Sequence, residues 1–376
     1  MESIVAIKPI SADSHVTEPP SCYTDYLEPK WRDKAPKLGM NKDRGSIYLI
    51  DGLPGEIPIT LAAAAGLTPE QLANSSRTFD DLHRGGWDPK ARLHDQDRDG
   101  IAAEIIYPTL GMVLCNHPDS NYMHAMFQAY NRWLQDFCSD GAGRLFGVGQ
   151  SAVPSVEQAI ADAKAIKGQG FCGIMLPAFP GTAEDYDHPS FDRFWAALVD
   201  LDLPISFHTF TGRRRGDDLV FATRGPKVNG FMAITRDNQD LLGMFCLTGI
   251  FERFPKLKVV SVEADAGWVP HYIYRMDHAY KRHRFWQQGK TLGRLPSEYF
   301  LENVYLTFQD DWIAFKHRAD MNIERLLWAN DFPHSDATWP NSQAILAEHT
   351  KVLSEAEKRR VLRDNVAELY GIELAA

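Results

Sequence analysis

The sequence predicts an α/β protein built as a single (β/α)8 TIM barrel with insertions at the C-terminal face. Short apolar runs rich in β-branched residues alternate with helix-length segments along the chain, as expected of repeated βαβ units. Eight such runs are present. The 376 residues exceed the roughly 250 residues of a typical barrel, which leaves room for insertions.

The candidate strands are near-continuous apolar runs, which is typical of parallel strands buried on both faces. They span 7–13, 103–108, 144–150, 171–177, 203–209, 257–264, 303–309 and 325–331. A doubly wound open sheet is the competing architecture. No GxGxxG sequence follows any of these runs, so the dinucleotide-binding version of that sheet has no support.

The segments between the strands are helical in character. Residues 155–170 begin with a serine N-cap and an early glutamate and end at glycine, the usual signals for the start and end of a helix. Residues 188–202 carry apolar side chains at i, i+3 and i+4 spacing. Residues 120–140 and 354–370 have the same pattern.

We expect one domain over residues 1–376, because no repeat, low-complexity tract or Gly/Ser linker interrupts the chain. Two stretches supply the excess length, 14–87 after the first strand and 210–240 after the fifth. Both would lie on the C-terminal face of the barrel, where this fold places its chemistry.

The composition excludes several classes of function. Five cysteines with no CxxC pair argue against a disulfide framework and a thiolate zinc site. A formal charge of −10 disfavours nucleic acid as a partner. The apolar runs are too short to span a bilayer, and the N-terminus lacks a basic region and a long apolar stretch. We therefore expect a cytoplasmic protein that binds no membrane.

Ionisable residues stand at the C-terminal ends of the candidate strands. Asp13 and His15 close the first strand, His208 the fifth, Glu263 the sixth and Asp331 the eighth. In a barrel these ends converge on one opening, and Asp13 and His15 point to the same side of an extended backbone. Each residue alone also fits a turn, a helix cap or a buried histidine. Together, Asp13, His15, His208 and Asp331 predict a catalytic site for a divalent metal.

Several stretches resemble the amidohydrolase-related family, the group that includes amino-carboxymuconate-semialdehyde decarboxylase and aromatic acid decarboxylases. They are Asp13-Ser14-His15-Val16-Thr17-Glu18-Pro19, Phe207-His208 and Asn330-Asp331-Phe332-Pro333-His334, with supporting fragments at 92–97, 254–258 and 365–370. The resemblance implies a (β/α)8 barrel with one divalent metal ion. Zinc is the first expectation, with manganese or iron as alternatives. The resemblance also leaves a homodimer open.

The resemblance assigns the ligands residue by residue. His15 matches the second histidine of the family's first-strand His-x-His motif, and Asp13 replaces the first. His208 matches the strand-5 ligand and Asp331 the strand-8 aspartate. Glu263 stands where many decarboxylases of the family carry a histidine. Both departures put a carboxylate in place of an imidazole.

We predict Asp331, Glu263 and His208 as the catalytic residues. A divalent metal lowers the pKa of a bound water, and Asp331 would take the proton from that water, bind the metal, or do both. For Glu263 two roles remain open. It would act as a general base, or it would orient a ligand histidine through the second ring nitrogen.

The substrate is expected to be a small carboxylate or aromatic molecule. Guanidinium groups after the fifth strand would pair with a carboxylate, and aromatic residues after the sixth and eighth strands would form the walls of an aromatic-sized pocket. Solvated loops and ordinary packing are the competing interpretations. The candidates are Arg213, Arg214, Arg215, Trp268, His271, His334 and Trp339.

Three functions fit these residues. The first is a metal-dependent hydrolase that uses activated water, favoured slightly because the carboxylate-rich site suits proton removal from water. The second is a non-oxidative decarboxylase of an aromatic or unsaturated acid that uses the same metal. The third is an inactive barrel that acts as a binding protein, which four matched strand-end residues argue against.

Overall fold

The computed structural model describes residues 7–60, 62–73, 77–212, 225–287 and 289–373. Eight parallel strands form one sheet, and each strand pairs with the next in sequence order. This confirms the predicted barrel, and all eight candidate runs contain a strand. The strands are β1 Ile10–His15, β5 Ala103–Tyr107, β6 Leu145–Gln150, β7 Gly173–Met175, β8 Ile205–His208, β9 Val259–Val262, β10 Val304–Phe308 and β11 Leu326–Trp328.

Helices connect the strands, as the apolar spacing predicts. Ser155 caps the helix after β6 by accepting a hydrogen bond from the Gln158 backbone N–H. The helices are α1 Pro20–Thr24, α2 Pro69–Ala73, α3 Pro89–Asp99, α4 Leu110–Leu114, α5 Ser120–Ser139, α6 Val156–Gly168, α7 Asp192–Asp200, α8 Phe231–Leu247, α9 Ile250–Arg253, α10 Val269–His283, α11 Pro296–Asn303, α12 Trp312–Lys316, α13 Ser342–His349, α14 Glu355–Arg359 and α15 Asn365–Tyr370. In the described ranges, none of them is both long and apolar enough to cross a bilayer.

The stretch after β1 contains a small antiparallel sheet that the sequence did not reveal. Its strands are β2 Lys37–Asn41, β3 Gly45–Leu49 and β4 Ile57–Pro58. The hydroxyl of Tyr48 donates to the backbone oxygen of Glu18 at 2.8 Å, which ties this sheet to the segment that leaves β1. The sheet therefore lies beside the C-terminal end of the barrel.

The first and last strands are joined at their C-terminal ends. The Asp331 backbone N–H donates to the backbone oxygen of Asp13 at 3.1 Å. The His15 backbone N–H donates to the backbone oxygen of Phe332 at 2.7 Å. The Ser11 hydroxyl also accepts the Asn330 N–H at 2.9 Å. These bonds close the barrel beside the residues that were predicted to bind metal.

A buried arginine supports this closure. Arg92, on α3, is fully buried and donates to Glu104 at 2.6 Å. It also donates to the backbone oxygens of His15 at 2.7 Å and Phe332 at 3.2 Å. One guanidinium, with its five fixed donors, thus holds both sides of the closure.

Replacing Arg92 with methionine is expected to lower the free energy of unfolding by about 3–5 kcal/mol, because the buried Glu104 carboxylate loses its charged partner. Urea-induced unfolding, followed by circular dichroism, measures the change. Arg84→Met is the control, since that side chain is 74% exposed and pairs with Asp88 at the surface. The control is expected to change the free energy by less than about 1 kcal/mol. Equal losses in the two variants would contradict the role of Arg92.

Candidate metal and active site

The side chains of Asp13, His15, His208 and Asp331 meet at the C-terminal end of the barrel, and all four are fully buried. His15 Nε2 lies 3.2 Å from Asp13 Oδ1 and 3.4 Å from Asp331 Oδ1. His208 Nε2 lies 3.4 Å from Asp13 Oδ1. The sequence placed these residues together, and the structure does the same.

The strand ends determine this meeting. β1 and β8 end at His15 and His208, and the register of β1 with β5 shifts between Ser11 and Ser14. Asp331 follows β11 with a left-handed backbone, φ 54°, a conformation that aspartate adopts more readily than most residues.

Hydrogen bonds at the opposite ring nitrogens orient both imidazoles. His15 Nδ1 lies 2.9 Å from the Pro108 carbonyl oxygen, and His208 Nδ1 lies 3.2 Å from the Thr209 carbonyl oxygen. A carbonyl only accepts, so in the neutral form of each ring Nδ1 carries the hydrogen and Nε2 keeps a lone pair. Burial, followed by the neighbouring His334, lowers the pKa of His15 to about 3. In its neutral form each ring presents Nε2 as a ligand atom.

The converging atoms form no hydrogen bond with any residue that the structure describes. They are Asp13 Oδ1 and Oδ2, His15 Nε2, His208 Nε2, and Asp331 Oδ1 and Oδ2. Buried polar atoms without partners are costly. A divalent cation between imidazole nitrogens and carboxylate oxygens would satisfy them, and this donor set suits zinc, manganese or iron. The residues present thus fit a metal ion.

Glu263 and His334 extend the cluster. Ligand atoms of Asp13, His15, His208 and Glu263 lie within 4.8 Å of one another, and so do those of His15, Glu263, Asp331 and His334. His334 Nδ1 lies 3.0 Å from Asp331 Oδ1, and its ring stacks on His15 at 3.8 Å. His334 was predicted as a substrate residue, and the structure places it against the metal-binding cluster.

The carboxyl groups of the cluster differ in their proton affinity. Burial would raise the pKa of Asp13, but the imidazoles of His208 and His15 hold it well below its usual value. Burial raises the pKa of Asp331 well above its usual value, and the nearby Asp13 raises it further. Burial and then Asp331 do the same for Glu263. The pKa of Asp13 is thus lowered while those of Asp331 and Glu263 are raised, so the three carboxyl groups of one cluster differ in the direction of their shifts.

The Glu263 carboxylate is placed as a cavity-lining group. Its Oε2 lies 3.6 Å from His208 Nδ1, too far for a hydrogen bond, while the Thr209 hydroxyl donates to the same oxygen at 3.3 Å. The Thr209 backbone oxygen is the closer partner of His208 Nδ1, at 3.2 Å. This geometry favours the proton-transfer role of Glu263 over the orienting role.

A cavity opens above the cluster, between the small sheet, α4 and the segments after β8 and β11. Thr17, Glu18, Tyr48, Ile57, Pro58, Ile59, Ala62, Thr109, Leu110, Met112, Val113, Phe210, Phe231, Glu263, Asp331, His334, Ser335 and Asp336 line it. Most of these side chains are apolar. The acidic residues at its base belong to the cluster, so the cavity is the candidate substrate site.

The other predicted substrate residues lie elsewhere. Trp268 points its indole N–H at the Ala264 oxygen, 2.7 Å away, and His271 is exposed on α10. The Trp339 indole donates to the Asp95 oxygen at 3.1 Å. None of the three lines the described part of the cavity, because each is directed by its own helix or loop. Arg213, Arg214 and Arg215 lie outside the described residues.

Sequence reasoning missed Glu18 as a cavity residue. Its carboxylate accepts the backbone N–H groups of Thr109, Leu110 and Gly111 at 3.0 to 3.1 Å. Burial raises the pKa of Glu18 to about 7, although these hydrogen bonds oppose the rise. The only signal was one acidic residue inside the resemblance motif, because its partners lie about ninety positions away.

A buried Asp/His cluster at the C-terminal end of a (β/α)8 barrel defines the class of metal-dependent barrel enzymes. The amidohydrolase family profile matches residues 48–372, and the chain belongs to that family. The chain is therefore an enzyme, and the resemblance seen in the sequence is confirmed. The inactive-barrel alternative has no support.

Two similar proteins are gamma-resorcylate decarboxylases. The one from Rhizobium sp. (strain MTP-10005) is 20% identical over 335 residues, which cover 84% of this chain and 96% of the relative. The one from Rhodococcus jostii is 22% identical over 222 residues, which cover 54% of this chain and 63% of that relative. These comparisons favour the decarboxylase alternative over the hydrolase that the sequence placed first.

Solved structures share the fold. An amidohydrolase of Mycobacterium avium subsp. paratuberculosis superposes with a TM-score of 0.75 at 21% identity, covering 98% of this chain and 100% of that one. A 5-carboxyvanillate decarboxylase from Novosphingobium aromaticivorans, complexed with manganese and 4-hydroxy-3-methoxy-5-nitrobenzoic acid, gives 0.69 at 18% identity, covering 97% and 96%. The expectation that zinc comes first finds no specific support here.

Manganese is expected to stabilise chelator-treated protein. At a hundred times its dissociation constant, an ion that binds only the folded state raises the free energy of unfolding by about 2.7 kcal/mol. Urea-induced unfolding with and without Mn²⁺ measures the gain. His208→Ala is expected to abolish it, whereas the exposed His271→Ala is expected to keep it. A gain that survives in His208→Ala would contradict this placement of the site.

Proposed function

We propose that this enzyme is a divalent-metal-dependent, non-oxidative decarboxylase of a small aromatic carboxylic acid. The observation that carries the proposal is the set of buried, unpartnered ligand atoms on Asp13, His15, His208 and Asp331 at the base of an apolar cavity. The gamma-resorcylate decarboxylases among its relatives support decarboxylation as the reaction.

Asp13, His15, His208 and Asp331 would hold one divalent cation, and manganese is the first ion to test. When bound, the cation supplies a positive charge that binds a substrate carboxylate and polarises it. With two neutral imidazoles and the carboxylates of Asp13 and Asp331, the four ligands would balance the charge of a divalent ion without exceeding it. A substrate carboxylate could therefore still bind at an open coordination position of the ion.

The chain's own residues handle the proton. Decarboxylation breaks the bond between the ring carbon and the carboxyl carbon, the electron pair stays on the ring carbon, and CO₂ leaves. The ring carbon must then accept a proton. Asp331 and Glu263 are the carboxyl groups that line the cavity beside the ligand atoms, and Glu263 is free of the four-residue ligand set. We assign Glu263 to carry the proton and Asp331 to hold the ion.

The apolar walls contribute by excluding water. Leu110, Met112 and Val113 from α4, with Phe210 opposite, surround the space above the cluster. Electrostatic interactions strengthen where water is excluded, which stabilises charge that develops on the ring. Hydrolysis needs a water held against the same carboxylates, and it is the second candidate because Glu263 replaces a histidine.

Glu263→Gln is expected to lower the rate of CO₂ release at least about 100-fold, a typical loss for a general acid–base group, while manganese stoichiometry is retained. The assay incubates manganese-loaded enzyme with a panel of ortho-hydroxybenzoic acids and measures CO₂ and the phenol product. Release of a hydrolysis product without CO₂ would instead support the hydrolase. A wild-type rate in Glu263→Gln would refute the role of Glu263.

Asp331→Asn is expected to lose both turnover and bound manganese. Asparagine adopts the left-handed backbone at this position about as readily as aspartate, so circular dichroism is expected to show an unchanged fold. Asp265→Asn is the matched control, since Asp265 has the same φ of 54° and does not line the described cavity. Metal content and CO₂ release are measured on the unmodified enzyme, Asp331→Asn and Asp265→Asn. The two measurements separate loss of the metal ion from loss of turnover. Full manganese content in Asp331→Asn would remove it from the ligand set.

A further inference from the structure

The upper part of the cavity is apolar. Ile57 and Ile59, from the small sheet and the residue after it, face the space together with Leu110, Met112 and Val113 of α4. All five side chains are less than a tenth exposed. Tyr48 also lines the cavity, but its hydroxyl already donates to the backbone oxygen of Glu18 at 2.8 Å. These walls therefore offer little to a charged substituent.

The charged residues that line the cavity all have one sign. They are Glu18, Glu263, Asp331 and Asp336, and the described lining contains no lysine or arginine. Glu18 is occupied by three backbone N–H groups. The described lining thus offers no cationic side chain to an anionic substrate. The metal ion held at the base would supply the positive charge.

An anion that enters the described part of this cavity would therefore bind at its base. A carboxylate transferred from water to an apolar site without a partner loses several kcal/mol of solvation. One substrate carboxylate recovers that loss at the cation. A second carboxylate on the same ring would meet described walls that are apolar, such as Ile57 and Met112, or acidic, such as Asp336, with no cationic side chain among them.

We propose that the substrate carries one carboxylate on an otherwise uncharged, apolar ring, and that the small sheet after β1 excludes aromatic dicarboxylates. The inference rests on the proposed function, because the single carboxylate is assigned to the metal site. It names Ile57, in β4, and Ile59 as residues that determine specificity. Arg213, Arg214 and Arg215 were predicted to bind a substrate carboxylate, and they offer the competing arrangement. In that arrangement a guanidinium group would pair with the second carboxylate of the substrate.

Two probes of matched shape test the inference. They are 2-hydroxy-3-methylbenzoate and 2-hydroxyisophthalate, which differ by a methyl group in place of a carboxylate. With manganese-loaded enzyme, calorimetry is expected to show binding of the monocarboxylate at least about tenfold tighter, and CO₂ release is expected to show the same order in kcat/KM.

Two substitutions of Ile57 test whether the apolar wall causes the preference for the monocarboxylate. Ile57→Lys introduces a cation whose long side chain keeps its apolar part against the wall. The affinity for the monocarboxylate divided by that for the dicarboxylate is expected to fall at least about tenfold. Ile57→Met keeps the wall apolar at similar volume and is expected to leave the ratio unchanged. Because each ratio is measured on one protein, a loss of stability cancels.

The outcomes separate this inference from the proposed function. If neither probe releases CO₂ but the monocarboxylate binds more tightly, the decarboxylase proposal fails while the specificity inference stands. If CO₂ is released and the two probes bind equally, the inference is overturned and the arginines after β8 become the partners to test. An unchanged ratio in Ile57→Lys would also overturn it.

Discussion

The structure depends on one constraint, which is that four buried candidate ligand side chains converge while no described residue forms a hydrogen bond with their inner atoms. Such an arrangement is unfavourable for the isolated chain. The surrounding backbone holds it in place, because the bonds that close the barrel also join the residues flanking Asp13 and Asp331. Arg92 connects the same backbone to Glu104. The same hydrogen bonds therefore close the barrel and position the candidate ligands.

The carboxylates of the site are distinguished by their neighbours. Asp13 lies between two imidazoles, which lower its pKa. Glu263 and Asp331 follow β9 and β11 with left-handed backbone conformations, φ 55° and 54°, which cost about 1–2 kcal/mol for residues other than glycine. Both line the cavity, where burial and a neighbouring carboxylate raise their pKa values.

Much of the fold, and the convergence of the candidate ligands, could be predicted from the sequence because both follow local patterns. Apolar runs marked all eight barrel strands, and residues such as His208 sit at the ends of those runs. The cavity could not be predicted in the same way. β4 is two residues long and leaves no periodic signal, and Glu18 is held by N–H groups far along the chain. Trp268 and His271 also come after β9, but Trp268 caps helix α10 and His271 lies exposed on it, so neither lines the described cavity.

The small antiparallel sheet has a consequence for how this enzyme can diverge. It lies in a single excursion between the first two barrel strands and contributes no atom to the ligand cluster. Substitutions or insertions in this sheet would therefore reshape the cavity wall without displacing a candidate ligand. The wall and the candidate ligand cluster lie on separate parts of the polypeptide, so each can be altered while the other keeps its geometry.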